Sequence, residues 1–263
     1  MSINSLCALA LVLMIFGPIV VVISLGRKHE WEPRWVVAGA VAFISSQVVH
    51  LPMNWALGEL GWMSNVSPID PTTAILAGLT AGLCEEGART AVFLWWLREV
   101  RDHNQGNAYG LGHGGFEAVL LGILGVFSLV SMVSLQTMDL ATLGLEPDAL
   151  EAVQAQVAAF QSQAGWQVFL GPLERAMTMM NHLFMTMLVL RGVTRRSPLP
   201  IVVAVGWHAL INAVTVWVMS HHSAIAAEGA LAVLTIIAAV GWWHSRDWFE
   251  ATIEPSQDDG KAA

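Results

Sequence analysis

The sequence predicts an all-α protein, a polytopic bundle of about seven transmembrane helices. Composition, long apolar segments and the distribution of basic residues support this prediction. Of the 263 residues, 55% are apolar and only 12% are charged, and the mean hydropathy is +0.59. A soluble domain carries about 25% charged residues. One water-soluble core cannot bury this apolar excess, so soluble enzymes, nucleic-acid-binding proteins and disordered chains are excluded.

The apolar segments have the length that a bilayer requires. A membrane-spanning helix needs about 20 mostly apolar residues. The first segment is not a cleavable signal peptide, because no small-residue cleavage site follows it before Arg27. Cys7 and Cys84 lie inside apolar segments, so they form neither a disulfide framework nor a thiolate zinc site. The predicted spans are 5–25, 35–53, 72–97, 109–133, 168–190, 199–219 and 224–243.

Basic residues lie on one side of these spans. Ten of the twelve Lys and Arg residues fall in the segments that follow spans one, three, five and seven, and the other two, Arg89 and Arg175, lie inside spans. The connections 54–71, 134–167 and 220–223 contain no basic residue. The positive-inside rule then places the N-terminus outside and the C-terminus in the cytoplasm. This orientation can be tested with cysteines introduced into these connections and a labelling reagent added from the outside.

The domain organisation is expected to be simple. Residues 1–253 form one transmembrane domain, and the polar tail 254–263 is a disordered cytoplasmic segment. The outer loop 139–165 is acidic and contains a helix at 148–162, whose acidic start suits a helix N-terminus. This helix either lies on the outer leaflet or is an ordinary connecting helix. We expect the protein to lie in the prokaryotic plasma membrane.

Ionisable and polar side chains inside the spans are the main functional signal. A charged side chain at mid-bilayer costs about 3 kcal/mol on insertion scales, so each one needs a reason to be there. Three spans each present two such side chains one helical turn apart, which places them on one helix face. The pairs are Glu85 and Arg89, His113 and Glu117, and His208 and Asn212, and Glu86 is rotated by about 100° from its neighbour Glu85.

These residue types suit the activation of water for attack on a carbonyl group. Closely placed carboxylates cannot all ionise in a low-dielectric site, so one of them can take a proton from water. Arg89 is predicted to pair with Glu85 and to keep that carboxylate charged. His113 and His208 can hold a water molecule, bind a metal or donate a hydrogen bond. The amide of Asn212 can donate to a developing oxyanion.

Each pair on its own also has a structural interpretation, as a neutralised bridge, a packing histidine or an interhelical hydrogen bond. The joint pattern on three helices favours function. His182 is expected to have a supporting role, and Glu174 with Arg175 is expected to be a structural or interfacial pair.

The motifs Glu85-Glu86-x-x-Arg89, His113-Gly-Gly-Phe-Glu117 and His208-x-x-x-Asn212 follow one another on successive spans. In this order they resemble the YhfC family of intramembrane proteases. They are also similar to the wider group of glutamate-type membrane proteases, which includes the type II CAAX prenyl endopeptidases (CPBP) and PrsW. The resemblance covers spans three to six, about residues 80–215.

The resemblance implies roles for five residues. Glu85 and Glu86 take the glutamate positions, with Glu85 as the base, His113 and His208 take the histidine positions, and Asn212 supports the oxyanion.

Two departures from the CAAX pattern leave alternatives open. Arg89 follows Glu85 by four residues rather than five, and Glu117 corresponds instead to the acidic second motif of PrsW. The identity of the base and the presence of a metal therefore stay open. Zinc is possible, with Glu117, His113 and His208 as candidate ligands.

The leading hypothesis is an intramembrane endopeptidase that hydrolyses a peptide bond with a water activated by Glu and His. Its substrate is expected to be a protein or peptide in or near the bilayer, with no nucleic-acid partner. One alternative is a proton-coupled transporter that uses the same residues as a relay. The other is a non-catalytic membrane scaffold or immunity protein. A transporter would show repeated halves or broken helices, and the sequence has neither.

Overall fold

The computed structural model describes residues 1–64 and 66–250, and it confirms the all-helical class. The predicted tail 254–263 lies outside the described residues. Two short 3-10 helices, Leu140–Leu143 and Gly165–Phe169, flank the outer helix. The α-helices are α1 Ile3–Lys28, α2 Pro33–Glu59, α3 Pro71–Trp95, α4 His103–Thr137, α5 Pro147–Ser162, α6 Leu170–Arg195, α7 Pro198–His221, α8 Ala224–His244 and α9 Asp247–Glu250.

Seven long helices coincide with the seven predicted spans. Five of them are long and apolar enough to cross a membrane, namely α1, α2, α4, α7 and the segment from α8 to Phe249. Charged side chains lower the hydropathy of α3 and α6, which bury many of their residues against the other helices. The count of about seven spans is approximate for this reason, and the orientation stays a prediction.

The helices that carry the polar pairs pack closely because glycine lies at their contacts. The most extensive contact joins α3 to α7, and α4 packs against α1, α2 and α6. A Cβ atom at Gly78 of α3 would collide with the carbonyl oxygen of Ala209 in α7, and one at Gly112 of α4 would collide with that of Val36 in α2. Small residues allow such close backbone approach in membrane proteins.

Helix α4 is longer than its predicted span. It begins at His103 rather than near 109, and the Asp102 carboxylate caps it by accepting a hydrogen bond from the backbone N–H of Gln105. His113 therefore lies almost three turns inside a regular helix, not in an irregular segment. Helix α5 has no buried residue.

Candidate active site

Four helices bring seven polar side chains together in the bundle. Each of these side chains is nearly or fully buried, and burial of charged groups is costly unless they are paired. The middle of α3 supplies three of them, α4 two, and α6 and α7 one each. They are Glu85, Glu86, Arg89, His113, Glu117, His182 and His208.

Glu85 lies at the meeting point of three helices. Its Oε2 atom is 3.1 Å from Nε2 of His113 and 3.9 Å from Nε2 of His208. Its Oε1 atom accepts a hydrogen bond from Nε2 of Gln47 in α2, at 3.2 Å. The carboxylate thus has one oxygen turned towards the histidines and the other held by an amide.

Glu86 points to a different set of partners. Its Oε1 atom is 2.9 Å from Nδ1 of His208, and its Oε2 atom accepts a hydrogen bond from Nη1 of Arg89 at 2.6 Å. The prediction that Arg89 pairs with Glu85 is therefore wrong. Positions i and i+3 also share a helix face, and this placement lets Nη2 of Arg89 reach Nδ1 of His182 in α6, at 3.1 Å.

His182 is more central than its predicted supporting role. Its Nε2 atom is 2.7 Å from Oε2 of Glu117. The other carboxylate oxygen of Glu117 accepts a hydrogen bond from Nη1 of Arg175, at 2.7 Å, and Arg175 also pairs with Glu174. The expected structural pair Glu174–Arg175 is thus joined to the buried cluster through Glu117.

A polar row on α2 continues the cluster from Glu85 towards the end of that helix at Glu59, and the sequence reasoning missed it. Thr80 Oγ1 donates to Asn54 Oδ1 at 2.7 Å, and Asn54 Nδ2 lies 2.9 Å from His50 Nε2. His50 Nδ1 is 3.1 Å from Gln47 Oε1. The spacing of Gln47, His50 and Asn54 on an otherwise apolar span is the signal that could have revealed this row.

Asn212 lies one turn from His208 on α7 and is half-buried. Among the described residues, no hydrogen-bond partner contacts its side-chain amide. It is near the cluster along its helix but is not part of the hydrogen-bonded network.

One group of these side chains can hold a metal ion. One ligand atom from each of Glu85, His113 and His182 lies within 4.8 Å of the others. The sequence-based metal candidates were Glu117, His113 and His208. Of these, His113 belongs to the group, whereas Glu117 and His208 do not, and Glu117 instead contacts Nε2 of His182. A carboxylate oxygen and two imidazole nitrogens are ligands that suit zinc.

Comparison with known proteins identifies the family of the chain. The profile of the family described as "YhfC intramembrane metalloprotease" matches residues 12–238. The "Uncharacterized membrane protein YhfC" of Bacillus subtilis (strain 168) is 24% identical over 233 residues, which cover 84% of this chain and 90% of that protein. No solved structure matches the chain. The chain is an integral membrane protein, and it belongs to the YhfC intramembrane metalloprotease family.

Proposed function

We propose that this chain is a zinc-dependent intramembrane endopeptidase and that Glu85, His113 and His182 hold the ion. The observation that carries the proposal is the convergence of their three ligand atoms in a buried site. Two histidines and one glutamate form one of the ligand sets of catalytic zinc. When bound, the ion supplies a Lewis acid that polarises a carbonyl group.

The surroundings of His182 support its assignment as a ligand. Glu117 accepts a hydrogen bond from Nε2 of His182 and thereby leaves the lone pair on Nδ1. A carboxylate behind a ligating histidine fixes its tautomer and its ring orientation in many metal sites. The proposal requires Nδ1 of His182 to exchange its contact with Arg89 for the ion.

His208 is the group best placed to move the proton. Its Nδ1–H donates to Glu86, so Nε2 carries the lone pair and lies 3.9 Å from Oε2 of Glu85. A base oriented by a carboxylate in this way is a recurrent catalytic arrangement. We assign His208 to take a proton from the attacking water and to return it to the leaving amine nitrogen.

Glu86 and Arg89 hold His208 in place through one continuous chain of contacts. Arg89 neutralises Glu86, and Glu86 orients the ring of His208. The resemblance gave the role of base to Glu85. In the proposed site Glu85 is a ligand, because its Oε2 atom lies 3.1 Å from Nε2 of His113 and one of its oxygens belongs to the group that the two histidine ligands form.

Asn212 completes the proposed set as the oxyanion donor. Its amide has no partner among the described residues and lies one turn from the base, so it is free to donate to a developing negative charge.

The substrate is proposed to be a peptide bond within the bilayer. Glu85 is 14 residues from the start of α3 at Pro71 and 10 residues from its end at Trp95. At about 1.5 Å per residue these separations are about 21 Å and about 15 Å, which is near the middle of a span. A site at this depth suits a membrane-embedded or membrane-proximal segment of another protein.

Metal removal tests the function directly. Protein reconstituted in liposomes should contain one zinc ion per chain and should cleave at least one member of a set of fluorogenic transmembrane peptides. Stripping with a chelator should abolish cleavage, and added zinc should restore it. Metal content is measured by mass spectrometry on the same samples.

Two outcomes contradict the proposal. If protein stripped of its metal cleaved the peptides at the parent rate, the metal would have no role in the mechanism. Protein that binds no metal and cleaves none of the peptides would support the transporter or scaffold hypothesis instead.

The α2 row makes a separate prediction about metal affinity. Gln47→Leu removes the donor that holds Oε1 of Glu85. Loss of such an outer partner typically costs about 10- to 100-fold in metal affinity, so zinc should bind Gln47→Leu more weakly by that factor in chelator competition.

Gln136→Leu is the matched control for this variant. Gln136 is also half-buried and pairs with Asn4, away from the site. An equal loss of zinc affinity in both variants would assign the effect to general loosening of the bundle.

A further inference from the structure

A second polar cavity lies where α1 and α8 end and α4 begins. Its volume is about 380 Å³. Its lining includes the side chains of His29, His103 and Arg246 together with Leu111 and Leu183. Positive residues flank this end of the bundle, which is the predicted cytoplasmic side. Nothing in the proposed peptidase mechanism uses these polar groups.

The cavity contains one permanent positive charge, that of Arg246, and, within the described ranges, unpaired hydrogen-bonding nitrogen atoms. Arg246 has no carboxylate within ion-pair distance in the part of the chain that the structure describes, and its guanidinium lies over the rings of Trp242 and Trp243, at 5.1 and 3.8 Å. Nε2 of His103 is buried and has no hydrogen-bond partner among the described residues. None of the residues that line the cavity is acidic.

The amide side chains of the wall are engaged within the protein, and Nδ2 of Asn104 donates to the backbone oxygen of His29 at 3.3 Å. Asn104 Oδ1 accepts a hydrogen bond from Trp31 Nε1 at 2.7 Å, and Asn107 Oδ1 accepts one from Trp242 Nε1 at 2.8 Å. Both amide oxygens are therefore used within the protein. Nδ2 of Asn107 donates to Nδ1 of His103 at 3.1 Å, which leaves Nε2 of His103 as an N–H donor. Arg246 and this N–H are left to meet a ligand, and such donors suit an anion.

The apolar part of the wall indicates that this anion belongs to an amphiphile. Leu25, Leu111 and Leu183 line the cavity together with the polar groups. Indole rings at this level are typical of a membrane interface. Basic pockets between helices on the cytoplasmic side bind anionic lipid headgroups in other membrane proteins.

We propose that this cavity binds the phosphodiester headgroup of an anionic phospholipid from the cytoplasmic leaflet. Arg246 and His103 contact the phosphate, and the leucines contact the carbons next to it. Leu183 directly follows His182 in α6, and Leu111 lies two residues before His113 in α4. The lipid therefore packs against the same two helix segments that present the proposed metal-binding histidines.

Lipid retention in native mass spectrometry tests this proposal without any cleavage assay. The parent protein, purified from liposomes of phosphatidylcholine with phosphatidylglycerol, should retain about one phosphatidylglycerol. Arg246→Gln should weaken this binding at least about tenfold, because a hydrogen bond to a charged group is lost. His103→Leu should weaken it as well and serves as the second variant if Arg246→Gln does not fold.

Arg195→Gln is the control, since Arg195 is an exposed arginine at the end of α6 and does not line the cavity. Equal retention by the parent and both cavity variants, or an equal loss in Arg195→Gln, would overturn the site. A parallel titration with inorganic phosphate identifies the source of the anion. Binding of phosphate that depends on Arg246, without retention of phosphatidylglycerol, would overturn the lipid assignment in favour of a soluble phosphate.

Discussion

Glu85→Gln should remove the metal ion and abolish peptide cleavage while the helical fold is retained. The amide keeps the shape of the side chain and can still accept the hydrogen bond from Gln47, but it has no negative charge with which to bind the ion. Loss of the ion removes the Lewis acid that polarises the carbonyl group, so cleavage should be lost together with the metal. Metal content, cleavage rate and circular dichroism of the same preparation give the three readouts.

Companion variants separate the proposed roles. His208→Gln should keep the metal and lose cleavage, because the base is removed while the ligands stay. Asn212→Ala should keep the metal and cleave about 10² to 10³ times more slowly, which is the usual effect of losing one oxyanion donor. Glu228→Gln changes another buried carboxylate that lies outside the site, and it should behave like the parent.

The pattern of results also decides between the two possible bases. If Glu85→Gln retained its metal and lost cleavage, Glu85 would be the base, as the resemblance to the CAAX proteases implies. Glu85→Gln with full cleavage would contradict the whole proposed site.

Arg89→Ala should cause the largest loss of stability of any single change in the cluster. The guanidinium and the carboxylate of Glu86 are both fully buried and are joined at 2.6 Å. Removal of one partner of a buried ion pair leaves an uncompensated charge and costs about 3–5 kcal/mol. Thermal unfolding in detergent, followed by circular dichroism, should show a clear decrease in the melting temperature.

Further variants connect this stability to activity. The double change Glu86→Leu with Arg89→Leu should recover most of the stability, since no unpaired charge remains, but it should not recover cleavage. Arg89→Lys should fold and cleave slowly, because an ammonium group neutralises Glu86 but does not reproduce the geometry with which the guanidinium holds this carboxylate against His208.

Arg34→Ala is the control for the stability measurement. Arg34 forms exposed ion pairs with Glu32 and Glu99, and such pairs contribute at most about 1 kcal/mol. Arg89→Ala as stable as the parent would contradict the buried ion pair.

The sequence predicted the class of fold and most of the cluster because both depend on local patterns. Long apolar segments indicate spans, and ionisable residues inside them are rare enough to be informative. Glu85, Glu86, His113 and His208 were found in this way. Spacing within one helix also placed Arg89 on the correct face.

The partners across helices could not be predicted, because they depend on how the helices are rotated and how closely they approach. By helical spacing alone, Arg89 could pair with either glutamate. The position of α6 determines that it pairs with Glu86. His182 had no ionisable residue one helical turn away that marked it as central. Contacts such as that of Gly112 with α2 set these distances, and one sequence does not reveal which backbones meet there.

The polar row on α2 links Thr80 to Glu85 through Asn54, His50 and Gln47, and it has a further consequence for the movement of protons. Every hydrogen bond in the row is donated in the direction of Glu85, and two of its links, Asn54 and Gln47, are carboxamides. A carboxamide does not exchange its protons at the rate of a titratable group, so the row holds Glu85 in place but conducts no proton to it. Direct proton transfer from side chain to side chain along this row is therefore blocked at its two carboxamides, which argues against a transporter that uses these links as its proton wire.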